Sequence, residues 1–236
     1  MGLSDYLVRN HRRVVFFTGA GMSAESGVPT YRGKGGIWKQ YDYESYACQP
    51  AFEADPARVW EFHNYRRKLV GACKPNPGHE LIARAEAASH GVTVVTQNID
   101  GLHQLAGSRN VHELHGSLWR LRCEKCGRRA ESRDAPLLDP HCSCGAWWRP
   151  AIVWFGDALD GEVIDAAMRA IVSCDLLISI GTSAVVYPAA QMPLYARKAG
   201  AKLVEVNPEP TPMSASYDLC VRESASECLA RLCEGI

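Results

Sequence analysis

Four apolar, β-prone residues, Val14-Val15-Phe16-Phe17, run through Thr18 into Gly19-Ala20-Gly21, and Ala24 completes the spacing G-x-G-x-x-A. A strand, a tight turn and a helix start in that order narrow the folds open to this chain more than any other stretch does. Glycines at such a turn let backbone N–H groups approach a pyrophosphate, and the helix N-terminus adds a field that favours negative charge. A plain strand-to-helix turn with no ligand fits the same short pattern. Gly27 and Pro29 break the helix within about two turns, too soon for the long crossover helix of an ordinary dinucleotide unit. Gly33-Lys34-Gly35-Gly36 follows as a loop anchored by Ile37 and Trp38, placed to close over a ligand.

Further apolar runs read as strands at Val92–Thr96, Asp175–Gly181, Lys202–Asn207 and Asp218–Arg222, with strand-like stretches at Val111–Gly116 and Leu118–Arg122. Helical patterns lie between them: Ser4–Asn10 with Ser4 as cap, Pro56–Gly71 behind an Asp55 cap, His79–Ser89, Glu162–Val172, Met192–Ala199 and Ser226–Leu232. Strands alternating with helices predict an α/β fold, a Rossmann-like parallel sheet domain covered on both faces, with a small inserted zinc-ribbon and helical domain. The expected division is 1–32, 72–117 and 151–236 for the sheet domain, 33–71 for a cofactor loop and helical module, and 118–150 for a four-cysteine module. Ligands of such sheets bind beyond the carboxyl ends of the strands. Gly19 to Gly21, Gln97 to Asp100, Gly181 to Ser183 and Asn207 all fall at those ends. Turn chemistry explains each cluster alone, but four at one edge point to a shared site.

Ten cysteines could signal a disulfide scaffold, yet 236 residues are enough to bury a core without stapling, and no secretory pattern opens the chain. That start, and the lack of any apolar run near the ~20 residues a membrane span needs, predict a cytoplasmic protein with no membrane partner. A formal net charge of zero predicts no direct nucleic-acid partner. Cys123-Glu-Lys-Cys126 and, after 15 residues, Cys142-Ser-Cys144 have the paired spacing of a zinc ribbon. Four thiolates leave Zn²⁺ no open position, so the metal would be structural. His141 is a nearby spare ligand, read as a surface residue. Cys48, Cys73, Cys174, Cys220, Cys228 and Cys233 show no pairing pattern and are expected to be reduced and largely buried.

An ordinary dehydrogenase would show its second strand within about thirty residues, ending in an acidic residue. Here the next convincing strand starts at Val92, which argues against hydride transfer. His115, before Gly116, is a candidate general base because imidazole titrates near neutrality, though a lone histidine is more often a core residue. Asn98 and Asp100 sit at a strand end where an amide and a carboxylate can orient a ligand or water, or simply make an Asx-turn.

Taken together, Gly19-Ala-Gly-Met-Ser-Ala-Glu-Ser-Gly-Val-Pro-Thr-Tyr-Arg32, Thr96-Gln-Asn-Ile-Asp-Gly-Leu-His103, His115-Gly116, the four cysteines, Val153-Trp-Phe-Gly156, Gly181-Thr-Ser183 and Val206-Asn207 resemble, in order and over nearly the whole chain, the motifs of the sirtuins. The resemblance implies an NAD-dependent protein-lysine deacylase, a deacetylase and/or desuccinylase/demalonylase, that consumes NAD, releases nicotinamide and passes the acyl group to ADP-ribose. It implies His115 as the base that activates a ribose hydroxyl, with Asn98 and Asp100 positioning the nicotinamide ribose and carboxamide. Gly19, Ala20, Gly21, Ser23, Ala24, Glu25, Tyr31, Arg32 and Trp38 would line the NAD cleft together with Gln97, Asn98, Ile99 and Asp100. Gly181, Thr182, Ser183, Asn207, Pro208, Glu209 and Ala225 would lie toward the adenosine end. Val153, Trp154, Phe155 and Gly156 would pair with the backbone of an acyl-lysine protein substrate as an added strand. Zn²⁺ would sit on Cys123, Cys126, Cys142 and Cys144, and a monomer is the expected state. Asp157 and Tyr31 stand where the family often has Glu and Phe.

The stretch from Gly33 to His79 resembles the desuccinylase/demalonylase-like (class III) branch, whose acyl pocket carries Ala, Tyr and Arg. Ala47 and Arg66 match, and His63 occupies the Tyr position. Three residues apart, His63 and Arg66 share a helix face, from which Arg66 can pair with a carboxylate. Acceptance of acidic acyl-lysines is expected, more pH-dependent with His63 than with a tyrosine. A mono-ADP-ribosyltransferase using the same NAD cleavage is the alternative enzyme, and a non-catalytic NAD-responsive module the alternative of another class.

Overall fold

The computed structural model describes residues 2–30, 41–89 and 91–236. Among the described residues nine strands are assigned: β1 Val14–Thr18, β2 Val92–Thr96, β3 Val111–Glu113, β4 Gly116–Arg122, β5 Arg129–Glu131, β6 Arg149–Ile152, β7 Leu176–Ile180, β8 Lys202–Val206 and β9 Leu219–Val221. Six form one parallel sheet in the order β3-β2-β1-β7-β8-β9. Counted along the chain this is 3-2-1-4-5-6, the doubly wound order whose direction reverses beside the first strand. The switch point therefore lies between β1 and β7, where Phe16 is level with Ile178 and Thr18 with Ile180.

Eight α-helices of the described residues flank the sheets: α1 Tyr43–Tyr46, α2 Gln49–Ala54, α3 Pro56–Gly71, α4 Pro77–Ala88, α5 Leu102–Leu105, α6 Gly161–Ser173, α7 Met192–Lys198 and α8 Ala225–Leu232. Their starts follow capping chemistry. Asp55 accepts from Arg58 N–H ahead of Pro56, Asn76 from His79 N–H, and Asp160 and Ser224 do the same for α6 and α8. β1 is buried at every position because both its faces are covered. Val14 and Phe16 pack with α4 and α8, whereas Val15 and Phe17 pack with α6 and α7.

The other three strands form an antiparallel sheet, β5-β4-β6, beside the cysteine region. There Val59 and Trp60 of α3, Leu118, Trp119, Trp148 and Trp154 share one apolar cluster with Cys123 and Cys142. Two expectations are corrected. Ser4–Asn10 is not an α-helix but two 3-10 turns, Leu3–Tyr6 and Val8–Asn10, the first preceded by Gly2 rather than capped by Ser4. Tyr6 and Val8 are both buried, and residues two apart cannot share an α-helical face. Of the six unpaired-pattern cysteines, Cys174, Cys228 and Cys233 are buried, but Cys48, Cys73 and Cys220 are only half-buried. Among the described residues no helix is long and apolar enough to cross a membrane.

Candidate active site

At the switch point two glycine turns touch. Gly21 N–H donates to Gly181 O at 2.9 Å and Gly19 N–H to Ile180 O at 2.9 Å. A Cβ on Gly21 would sit 2.6 Å from Gly181 Cα, and Gly181 itself has φ +61°, so neither position tolerates a side chain. The turn after β1 continues as a 3-10 stretch, Ala20–Ser26, closed by Gly27 in the left-handed region. The bare backbone of Gly19, Gly21 and Gly181 leaves a cradle at the strand ends that fits the pyrophosphate of a dinucleotide.

From this cradle a cleft of about 1100 Å³ extends across the carboxyl ends of the sheet. It brings together most of the residues singled out in the sequence: Gly19, Ala20, Gly21, Ala24 and Glu25; Gln97, Asn98, Ile99 and His115; Gly181, Thr182 and Ser183; Asn207, Pro208, Glu209 and Ala225; and Ala47, Arg66, Val153, Trp154, Phe155 and Gly156. Tyr31, Arg32 and Trp38 lie outside the described residues. Three residues do not line the cleft. Ser23 is fully buried behind it, where its hydroxyl donates to Asp100 Oδ2 at 2.8 Å and accepts from Asn98 Nδ2 at 3.2 Å. Asp100 lines a smaller side pocket with Val28, Pro29, Arg66 and Leu69.

His63 is the larger correction. It is completely buried, its ring stacked with Trp154 at 5.9 Å. Burial, reinforced by Arg66 and Arg67, holds its pKa well below the ordinary 6.5. His63 therefore stays neutral near neutrality, which removes the expected pH sensitivity of the acyl pocket. Periodicity placed it on a face with Arg66 but could not show that the Trp154 ring covers it.

His115 Nδ1 is 2.9 Å from Gln97 O. A carbonyl only accepts, so Nδ1 carries the proton and the Nε2 lone pair is the one available to a ligand. Burial lowers the pKa of His115, partly offset by that same bond, so the ring is neutral and ready to accept a proton. Asn98 is fixed by Nδ2 donating to Gly19 O at 3.0 Å. Burial raises the pKa of Asp100, opposed by bonds from Leu102 N–H and Ser23 and by the nearby Arg66. Arg66, 6% exposed, is not a surface residue.

Val153–Gly156 lies beyond β6 and is not a regular strand; Phe155 and Gly156 form a turn. Val153 N–H donates to His115 O at 2.9 Å and Phe155 N–H to Ala47 O at 3.1 Å. Asp157 accepts from Trp154 N–H and from Arg149, a fully buried arginine stacked on the Trp154 ring. Val185, Val186, Tyr187 and Pro188 also line the cleft and were missed. An apolar run directly after a glycine-bearing strand end was the available signal.

The four predicted cysteines converge. Cys123 Sγ lies 3.5 Å from Cys144 Sγ, Cys126 Sγ 3.6 Å from Cys142 Sγ, and all four lie within 4.8 Å. Sulfurs around a tetrahedral Zn²⁺ stand about 3.8 Å apart, so the set fits structural zinc despite its tight C-x-C half. Backbone N–H groups of Cys126 and Cys144 pull the thiols of Cys123 and Cys142 down, whereas Cys126, despite the Arg128 N–H, is pushed up to about 11 by the sulfurs around it. His141 is turned away, paired with Asp139 at 2.8 Å.

The Sir2 family model matches residues 19–188. A relative in Pyrobaculum aerophilum, "NAD-dependent protein deacylase 2", is 47% identical over 239 residues, covering 100% of this chain and 95% of its own. A solved Sir2 homologue mutant in complex with 2′-O-acetyl ADP-ribose is 42% identical, with a TM-score of 0.89 over 95% of this chain and 92% of that one. A Sir2 structure with p53 peptide and NAD⁺ is 33% identical, with a TM-score of 0.84 over 99% and 98%.

Proposed function

The chain belongs to the Sir2 family, and from that premise we propose that it is an NAD-dependent protein-lysine deacylase that passes the acyl group to ADP-ribose and accepts acidic acyl groups at Arg66. The observation that carries the chemistry is His115, whose Nδ1 is held by Gln97 O while its ring borders the cleft with Asn98 and the glycine cradle. NAD would supply a ribose carbon activated by its nicotinamide leaving group. The residues of this chain do the rest. His115 Nε2 takes the proton of a ribose hydroxyl. Asn98, braced by Gly19 O, and Asp100, braced by Ser23 and Leu102 N–H, orient the nicotinamide ribose and carboxamide. The bare turns of Gly19, Gly21 and Gly181 accommodate the pyrophosphate, and Asn207 to Glu209 with Ala225 meet the adenosine.

Val153 to Gly156, already tied on one side to His115 O and Ala47 O, presents its other edge to the substrate backbone, a mode that needs little sequence specificity. Beside it, Ala47 leaves room for the acyl chain and Arg66 supplies the only guanidinium among the described cleft-lining residues, suited to a succinyl or malonyl carboxylate. His63, neutral and behind Trp154, shapes the wall rather than titrating.

Mass spectrometry of reactions with NAD and a panel of acyl-lysine peptides tests the assignment. Acyl-ADP-ribose and free nicotinamide are expected with wild type, and at least about 100-fold less of each with His115→Ala. ADP-ribose found on protein, without acyl-ADP-ribose, means a mono-ADP-ribosyltransferase instead. In Arg66→Met, kcat/KM for succinyl-lysine should fall by about 10- to 100-fold relative to acetyl-lysine, and an unchanged ratio removes Arg66 from the acyl pocket.

A further inference from the structure

Helix α3 turns one face to the cleft, through Arg66, and another to the backbone around the cysteine cluster. On that second face stand Trp60, Asn64 and Arg67, spaced i, i+4 and i+7. Trp60 Nε1 donates to Trp148 O at 2.6 Å, and Asn64 exchanges two bonds with Leu137, Nδ2 to O at 3.0 Å and N–H to Oδ1 at 2.9 Å. Arg67 is fully buried. It donates from Nη1 to Leu118 O at 2.6 Å, from Nε to Asp134 O at 2.8 Å and from Nη2 to Ser132 O at 2.8 Å and Ser132 Oγ at 3.2 Å. Its guanidinium lies over the Trp119 ring, 5.0 Å from the centroid.

The residues that Arg67 grips also hold the floor of the cleft. Leu118 N–H donates to Ile99 O at 2.9 Å, and Trp119 Nε1 donates to Asp100 O at 2.6 Å. One short path thus runs from the Arg67 fork through Leu118 and Trp119 to the peptide units of Ile99 and Asp100, while the neighbouring residue, Arg66, faces the cleft. A buried guanidinium satisfied by converging acceptors is rigid, and a lysine cannot reproduce its planar fork.

We propose that Arg67 is a positioning residue for the reaction: through Leu118 and Trp119 it fixes the Arg66 guanidinium against Asn98, Ile99 and Asp100, which line the side pocket with it, and so sets acyl selectivity. The selectivity part rests on Arg66 as the acyl contact proposed above. Arg67→Lys is expected to lower the succinyl-to-acetyl ratio of kcat/KM at least tenfold, with the NAD KM within threefold of wild type. Asn64→Ala, which loosens the same helix from the same region, is expected to lower the melting temperature and leave that ratio within twofold. Should Arg67→Lys not fold, Trp119→Phe takes its place: it keeps the ring beneath the guanidinium, removes the bond to Asp100 O, and should lower the ratio likewise.

An unchanged ratio in the Arg67→Lys protein, or an equal loss in Asn64→Ala, overturns the proposal, the latter because any loosening would then do. Arg66→Met distinguishes the two readings. If it leaves the ratio unchanged, the acyl assignment fails by itself, and Arg67 is judged on kcat for acetyl-lysine peptide. That kcat should fall at least tenfold in Arg67→Lys through the lost tie to Ile99 and Asp100, and a value within twofold of wild type refutes the positioning role.

Discussion

His115 can act as a base only while it is neutral with its proton on Nδ1, and both conditions come from its surroundings. Gln97 O fixes the tautomer, and burial lowers the pKa from 6.5. Deacylation should therefore have an acid limb whose midpoint lies below 6.5, falling as pH falls because protonation removes the lone pair; a pH profile of kcat/KM checks it. His115→Ala should reduce turnover by about 10²–10⁴-fold with little change in folding, measured by nicotinamide release and circular dichroism. Identity and tautomer separate here. Sequence named the residue, while the carbonyl that selects its proton sits on another strand end.

At the scale of elements, the contact between the turns after β1 and β7 forms the cradle. Ala at position 21 would push a methyl to within 2.6 Å of Gly181 Cα, backbone that cannot give way as a flexible side chain can. Gly21→Ala should destabilise the fold by about 1–3 kcal/mol and abolish NAD binding, observable by thermal melting and calorimetry. The elements themselves were legible: the strands read at Val14–Phe17, Val92–Thr96, Asp175–Gly181, Lys202–Asn207 and Asp218–Arg222 and the α3 boundaries, Pro56 to Gly71, match because capping and periodicity are local. The N-terminal turns were misread because Tyr6 and Val8 answer to the core rather than to neighbours in sequence.

Over the whole molecule, histidine burial makes stability depend on pH. His63, His79 and His103 are buried; burial takes His79 down to about 4 and His103 to about 3, and His63 well below 6.5. The unfolded chain binds these protons near 6.5 and the folded one only at lower pH. Stability is thus fully present above about 6.5 and is lost as pH falls toward the folded values. Melting temperature should decline as pH falls from about 6.5 to pH 5. The cysteine set contributes separately. Removing a metal held at 1,000-fold over its Kd costs about 4 kcal/mol, roughly 10 °C for a chain of this size. Melting with and without a chelator measures it, and a four-cysteine variant should melt low and be indifferent to chelator.

The sequence by itself determined the alternation of strands and helices, the glycine turn, the paired cysteines and the candidate base, because each is written in neighbouring residues through propensity, φ freedom and ligand spacing. Tertiary structure alone decided how those pieces meet. Strand order brings Gly21 against Gly181, Trp154 hides His63, Gln97 O fixes the tautomer of His115, and Leu118 with Trp119 link Arg67 to Asp100. The reason is physical: these are contacts between residues far apart in the chain, created when apolar faces stack and buried donors must find acceptors. The glycine run that fits a pyrophosphate is one wall of a cleft that Arg66 also lines, and the next residue, Arg67, is bonded to Leu118, Ser132 and Asp134.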